Sequence, residues 1–156
     1  RPPRSTLFPY TTLFRSELGV AATELDGYAA RVLDALDGTT QSEDAGWLIG
    51  AAGPEDRAEF ALGAIVDGTV TRLVIDRIVR DAQGTLWIVD YKTSRHEGGD
   101  LEGFFANECR RYRAQLEGYA RAVTAWYTHR DADLGPLKLG LFFTQYGRLT
   151  ALPESD

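Results

Sequence analysis

In the run Trp87-Ile88-Val89-Asp90-Tyr91-Lys92 a carboxylate and an ammonium stand two residues apart. On a β-strand that spacing puts both side chains on one face, with Trp87, Val89 and Tyr91 on the other. Residues 86 to 89 are apolar on both faces, which predicts an interior strand covered by helices. A carboxylate and an ammonium at the end of such a strand are costly to bury without a task or a partner. The alternative is a strand leaving the core, with its charges in water.

Asp76 adds a second acid, in the middle of Leu73-Val74-Ile75-Asp76-Arg77-Ile78-Val79. A short connection lets Asp76 lie beside Asp90. Two converging carboxylates form the hard, all-oxygen donor set that suits Mg²⁺. Pairing with an arginine is the competing reading; strand alternation turns Arg77 to the opposite face but leaves Arg72 and Arg80 open. The chain has 15 arginines and two lysines, Lys92 and Lys138. A compact ammonium beside Asp90 can approach a scissile phosphate or an attacking water where a guanidinium fork would not fit.

Farther along, Gln115 and Tyr119 are four apart and share a helix face, with Tyr112 at the preceding turn. They could hydrogen-bond a site carboxylate or a nucleotide, or the two tyrosines could serve as core. Arg110, Arg111 and Arg113 form a basic band that reads either as a solvated helix face or as a contact for a DNA backbone. Glu59 is either an outward charge or an auxiliary acid. Cys109 has no companion for zinc or a disulfide, and neither lysine follows a glycine as a Walker A motif requires.

These residues need elements to hold them. Apolar residues from Leu18 to Leu36 recur at helical spacing and predict an amphipathic helix. A polar stretch from Asp37 to Asp56 follows, with a short helix possible around Trp47. Residues 57–66, 69–80 and 85–92 predict three strands, the first two joined at Asp67-Gly68, a strong hairpin signal. Residues 101–128 predict a long helix, with Gly103 and Gly118 as weak points. Strands over 137–146 and 148–152 end the order. His96, in a polar loop, and His129, at a helix end, read as surface residues.

The chain has 156 residues, 44% hydrophobic and 26% charged, which suits one compact domain with a core. Its longest uncharged apolar run falls far short of the roughly 20 residues that cross a bilayer. No methionine occurs, and Thr6 to Ser16 reads like a translated sequencing adapter. Residues 1–16 are therefore expected to be an artefactual leader, and residues 17–156 an N-terminally truncated piece of a larger protein. Setting aside Arg1, Arg4 and Arg15 takes the net charge from −6 to −9. So acidic a domain supplies little phosphate binding of its own. A metal or neighbouring domains would have to supply positive charge for a DNA substrate.

IDRIVRD, then LWIVDYKTS, then RYRAQLEGYA together resemble the C-terminal nuclease domain of AddA/RecB-type, UvrD-like helicase-nucleases, within the PD-(D/E)XK superfamily. The resemblance spans roughly residues 58–146. It implies an α/β fold of the restriction-endonuclease or lambda-exonuclease type, a mixed sheet flanked by helices. It also implies a DNA nuclease using Mg²⁺, with Mn²⁺ possible, in bacterial cytoplasmic double-strand-break repair. Asp76, Asp90 and the backbone carbonyl of Tyr91 would ligate the metal, Lys92 would be the catalytic lysine, and Gln115 and Tyr119 would form the downstream Q-x-x-x-Y motif. Helicase domains of the parent polypeptide and a second helicase-nuclease subunit are the implied partners, besides DNA. The family's upstream metal-ligating histidine has no counterpart here, since His96 and His129 both follow the DYK motif. A nuclease fold without activity, serving in DNA binding or scaffolding, is the alternative. A small-molecule hydrolase, with a closed pocket, is a third.

Overall fold

The computed structural model describes residues 25–50, 53–66 and 69–153. The adapter-like stretch, the start of the first predicted helix and the Asp67-Gly68 turn lie outside the described residues. Two compact units are present, Arg1–Asp34 and Ala35–Asp156. Every strand among the described residues belongs to the second.

Helix α1, Leu25–Thr40, runs four residues beyond its predicted end. Its Val32, Leu33 and Leu36 are more than half exposed, so the amphipathic pattern here does not become burial. Helix α2, Glu43–Gly50, is the short helix anticipated around Trp47. The Ala45 N–H donates to Ser42 Oγ at 3.2 Å, an N-cap that satisfies one of the free amides of the first turn. Glu43 and Asp44 add favourable negative charge there.

Five strands form one sheet in the order β1-β2-β3-β4-β5. They are β1 Arg57–Val66, β2 Thr69–Arg80, β3 Leu86–Lys92, β4 Leu137–Phe143 and β5 Arg148–Ala151. β1, β2 and β3 pair antiparallel. β4 lies parallel to β3, and β5 antiparallel to β4. A parallel neighbour needs a crossover, and the 28-residue helix α3, Leu101–Thr128, supplies it. The result is the mixed sheet with flanking helices that the resemblance implied.

β3 is the central strand, and its alternation divides the core. Leu86 and Ile88 pack with Phe105, Leu116, Val123 and Tyr127 of α3. Val89 packs on the other face with Val79, Phe142 and the α2 residues Ala45 and Leu48. Each such fully buried side chain contributes about 1.5–3 kcal/mol. The parity that buries Leu86 and Ile88 against α3 also turns Asp90 and Lys92 toward it.

α3 begins where Asp100 Oδ1 accepts the Gly103 N–H at 2.8 Å. A Cβ at position 103 would stand 2.1 Å from the capping carboxylate. Gly103, a weak point by propensity, is thus what lets the cap close. β4 stops at Phe143 rather than Tyr146, because residues 144–147 turn the chain into β5 with Gly147 at φ 56°. At the far end of the sheet, Arg80 ties three segments together. Its guanidinium donates to Glu55, to Gly84 O at 2.6 Å and to Leu134 O at 3.2 Å. Tyr127 Oη donates to Glu55 at 2.8 Å.

Candidate active site

The sheet is interrupted at Asp76. The β1–β2 register runs Ala58↔Arg77 and then Phe60↔Ile75, with no rung at Glu59 and Asp76. On the other side the β2–β3 register ends at Arg77↔Val89, one step short of Asp76 and Asp90. Glu59 adopts φ 50°, a left-handed conformation that is uncommon for a residue with a side chain. Freed from both ladders, Asp76 turns into the seam and its Oδ2 accepts the Tyr91 N–H at 2.8 Å. A carboxylate takes the place that a strand carbonyl would otherwise fill. Of the neighbouring arginines, Arg80 is engaged by Glu55, and Arg77 Nε donates to Leu48 O at 3.0 Å.

Asp90 is 5% exposed. Lys92 Nζ lies 2.6 Å from Asp90 Oδ2. From α3, Gln115 Nε2 donates to Asp90 Oδ1 at 2.9 Å and to Tyr119 Oη at 2.9 Å. The Q-x-x-x-Y spacing therefore works as a bracket, in which one amide holds the buried acid and a phenol one turn along the helix. Lys92 Nζ also stands 3.3 Å from the centroid of the Tyr112 ring. Thr144, in the turn after β4, secures the strand end, its N–H donating to Lys92 O at 3.0 Å.

Burial raises the pKa of Asp90 above the usual aspartate range, and the charge of Asp76 adds to the rise. The hydrogen bonds and charge of Lys92 and the Gln115 amide oppose it without cancelling it. Burial is the first cause, because it penalises the charged form. Two acids close enough to feel each other, carrying oxygen donors only, fit a hard divalent cation. Asp76, Asp90 and the Tyr91 carbonyl are the groups that would hold it. Among the described residues no group of three or more His, Cys, Asp or Glu side chains could hold a metal ion.

The remaining candidates lie around this centre. Glu59 is exposed, across from Asp76 at the position where the rung is missing. Arg110 and Arg111 are exposed on α3, Arg110 bonded to Asn107 and Arg111 3.6 Å from Glu108. Arg113 donates to the Pro153 carbonyl at 2.9 Å and lies 3.5 Å from Glu117, so its guanidinium ties the helix to the end of the sheet. His129 is exposed, as expected. His96, expected at the surface, is half-buried. Its ring stacks on Phe104 at 5.1 Å, its Nε2 is buried, and its backbone N–H donates to Tyr146 Oη at 2.8 Å. The polar composition of residues 93–100 concealed this, since the covering rings come from α3 and from the turn after β4.

One participant was missed in the sequence, and another has a different role from those expected. Glu108 is buried on α3 and accepts a long bond from Ser94 Oγ at 3.4 Å, which steadies the chain just beyond Lys92. Its place four residues before Tyr112 and seven before Gln115, on one helix face, was the available signal. Tyr112, expected as core or as a carboxylate or nucleotide contact, places its ring under Lys92. Beside Gln115 and Tyr119 opens a groove of about 950 Å³ between α3 and the β1–β2 hairpin. Leu62, Leu73, Gly118 and Trp126 line it, with Arg121 and Arg130 also in its wall. An open groove of this kind is not the closed pocket expected of a small-molecule hydrolase.

A family model described as the PD-(D/E)XK nuclease superfamily matches residues 12–153. No curated protein matches the chain.

Proposed function

The chain belongs to the PD-(D/E)XK nuclease superfamily, and we propose that it is a divalent-metal-dependent DNA nuclease that hydrolyses phosphodiesters at Asp76, Asp90 and Lys92. One observation carries the reading. At the interrupted rung a buried carboxylate, Asp90, is held by an ammonium at 2.6 Å and an amide at 2.9 Å, and it feels the charge of a second carboxylate.

When bound, a divalent cation such as Mg²⁺ or Mn²⁺ supplies charge neutralisation at the phosphate and a more acidic water. Asp76, Asp90 and the Tyr91 carbonyl are the residues that hold it. Lys92 orients the attacking water and offsets the charge that builds on the pentavalent phosphorus. Gln115 keeps Asp90 aimed, and Tyr119 keeps Gln115 aimed. The exposed Arg110 and Arg111 contact the DNA backbone, a positioning role without sequence preference. Glu59 is an auxiliary acid at the edge of the site.

The wider reading is a nuclease domain of an AddA/RecB-type helicase-nuclease in bacterial double-strand-break repair. Helicase domains of the parent chain and a second subunit deliver the DNA. It rests on the DYKTS and RYRAQLEGYA motifs and on the acidity of the chain, whose formal net charge of −6 calls for help in binding phosphates.

The test is cleavage of end-labelled linear single- and double-stranded DNA by the full chain with Mg²⁺, beside Asp90→Ala and Lys92→Ala. Loss of at least about a hundredfold in both variants, and loss with a chelator, is expected. Cleavage unaffected by either change would overturn the assignment. That no larger cluster of metal-ligating side chains forms among the described residues favours a second reading, a nuclease fold that binds DNA without cutting it. DNA binding with no cleavage by the parent would select it.

A further inference from the structure

Among the described residues Lys92 has two anchors, and a cation on Asp90 would weaken one of them. Its ammonium is 2.6 Å from Asp90 Oδ2 and 3.3 Å from the centre of the Tyr112 ring. Its side chain is 13% exposed, so water screens neither contact strongly. If Asp90 is committed to a cation, its negative charge is shared and Lys92 meets a like charge in place of a partner. A carboxylate anchor on the far side would not serve, because it would itself compete for the cation. An aromatic ring holds an ammonium through its quadrupole, carries no net charge and ligates no hard metal.

We infer that Tyr112 is a positioning residue for Lys92, whose ring face keeps the ammonium at the reacting centre while Asp90 is occupied by the cation. This rests on the nuclease reading proposed above. The hydroxyl plays no part in it; the ring does. Tyr112 is fixed for the task by α3, one turn before Gln115, so a single helix face holds both the buried acid and its lysine. The Arg111 guanidinium, 5.3 Å from the same ring, is a more distant cation on it.

The chain's two lysines make the test direct. In the full chain labelled with ¹³C at the lysine ε position, two resonances arise, Lys92 over Tyr112 and Lys138 at 5.4 Å from Trp87. The Lys92 ε-protons are expected upfield from the ring current, with and without Mg²⁺, in the parent and in Tyr112→Phe. In Tyr112→Leu and Tyr112→Met that shift disappears while Lys138 stays in place. In the cleavage assay Tyr112→Phe keeps kcat within about twofold, and both aliphatic variants lose about tenfold or more with KM and cation affinity unchanged. An unshifted Lys92 resonance in the parent overturns the inference, as does one that leaves the ring when Mg²⁺ saturates. So does a Lys138 shift in both aliphatic variants, which would mark the effect as structural, or equal kcat across the set. If the parent cuts no DNA, the nuclease reading fails, and the resonances still decide whether Tyr112 holds Lys92.

Discussion

At the residue scale, Asp90 is a group held against its own preference. Its pKa is raised by burial, so the neutral form is favoured in the fold relative to the unfolded chain. The sign follows. As pH rises from the ordinary aspartate range through the raised folded value, the metal-free protein loses stability, and above that window the loss stays constant. Asp90→Asn keeps the shape without the charge, and it is expected to raise the melting temperature of the metal-free chain at neutral pH while abolishing cleavage. A thermal melt with a chelator checks this, and a lower melting temperature would refute it. Protons and cation compete for the same carboxylate, so cation affinity should fall on acidification at a pH above that of an ordinary aspartate. The trio Asp76, Asp90 and Lys92 was legible because strand alternation is a rigid rule and charges inside apolar runs stand out. The ring beneath Lys92 was not, because a tyrosine on a helix stripe reads equally well as core or as ligand contact.

At the element scale, the sheet gives up regularity to make the site. The missing rung at Glu59 and Asp76 is accompanied by a left-handed residue at Glu59, a conformation that costs about 1–2 kcal/mol for any side chain but glycine. Glu59→Gly should therefore stabilise the fold by up to about 1 kcal/mol, and Glu59→Ala should not; denaturant titration of the two variants distinguishes them. At the other end of the sheet, Glu55 has its pKa lowered, chiefly by its hydrogen bond with Arg80. A lowered carboxylate contributes stability that is present above its unfolded pKa and is lost as pH falls through the folded value. Tyr127→Phe removes one bond from that group and should cost about 1 kcal/mol at neutral pH, with less effect in acid. The first three strands and α3 were readable almost to the residue, since period-2 and period-3.6 patterns were both strong there. α1 was readable as a helix, but its exposed Val32, Leu33 and Leu36 show that periodicity predicts conformation better than burial. The end of β4 was misplaced because Thr144, Gln145 and Tyr146 continue a strand-like composition into a turn that Gly147 closes.

At the scale of the whole molecule, an acidic chain of net charge −6 is asked to act on a polyanion. In the function proposed above, a cation at Asp76 and Asp90 and the exposed arginines of α3 would supply the positive charge. Cleavage should accordingly weaken as monovalent salt is raised, because few phosphate contacts remain once they are screened. The mixed topology was implied by the family resemblance, and the element order, three strands, a long helix and a strand pair, is compatible with it. The break in the sheet could not be anticipated, because it arises where two ladders fail at one rung, and no local pattern encodes that. The most direct measurement is a titration of Mn²⁺ into the full chain, Asp76→Asn, Asp90→Asn and Lys92→Ala, followed by the paramagnetic resonance of free Mn²⁺. Binding is expected in the parent, lost in both asparagine variants, and kept or tightened in Lys92→Ala, where no ammonium competes for Asp90. Equal binding by the parent and both asparagine variants would contradict a cation site at these two acids, and with it the proposed chemistry.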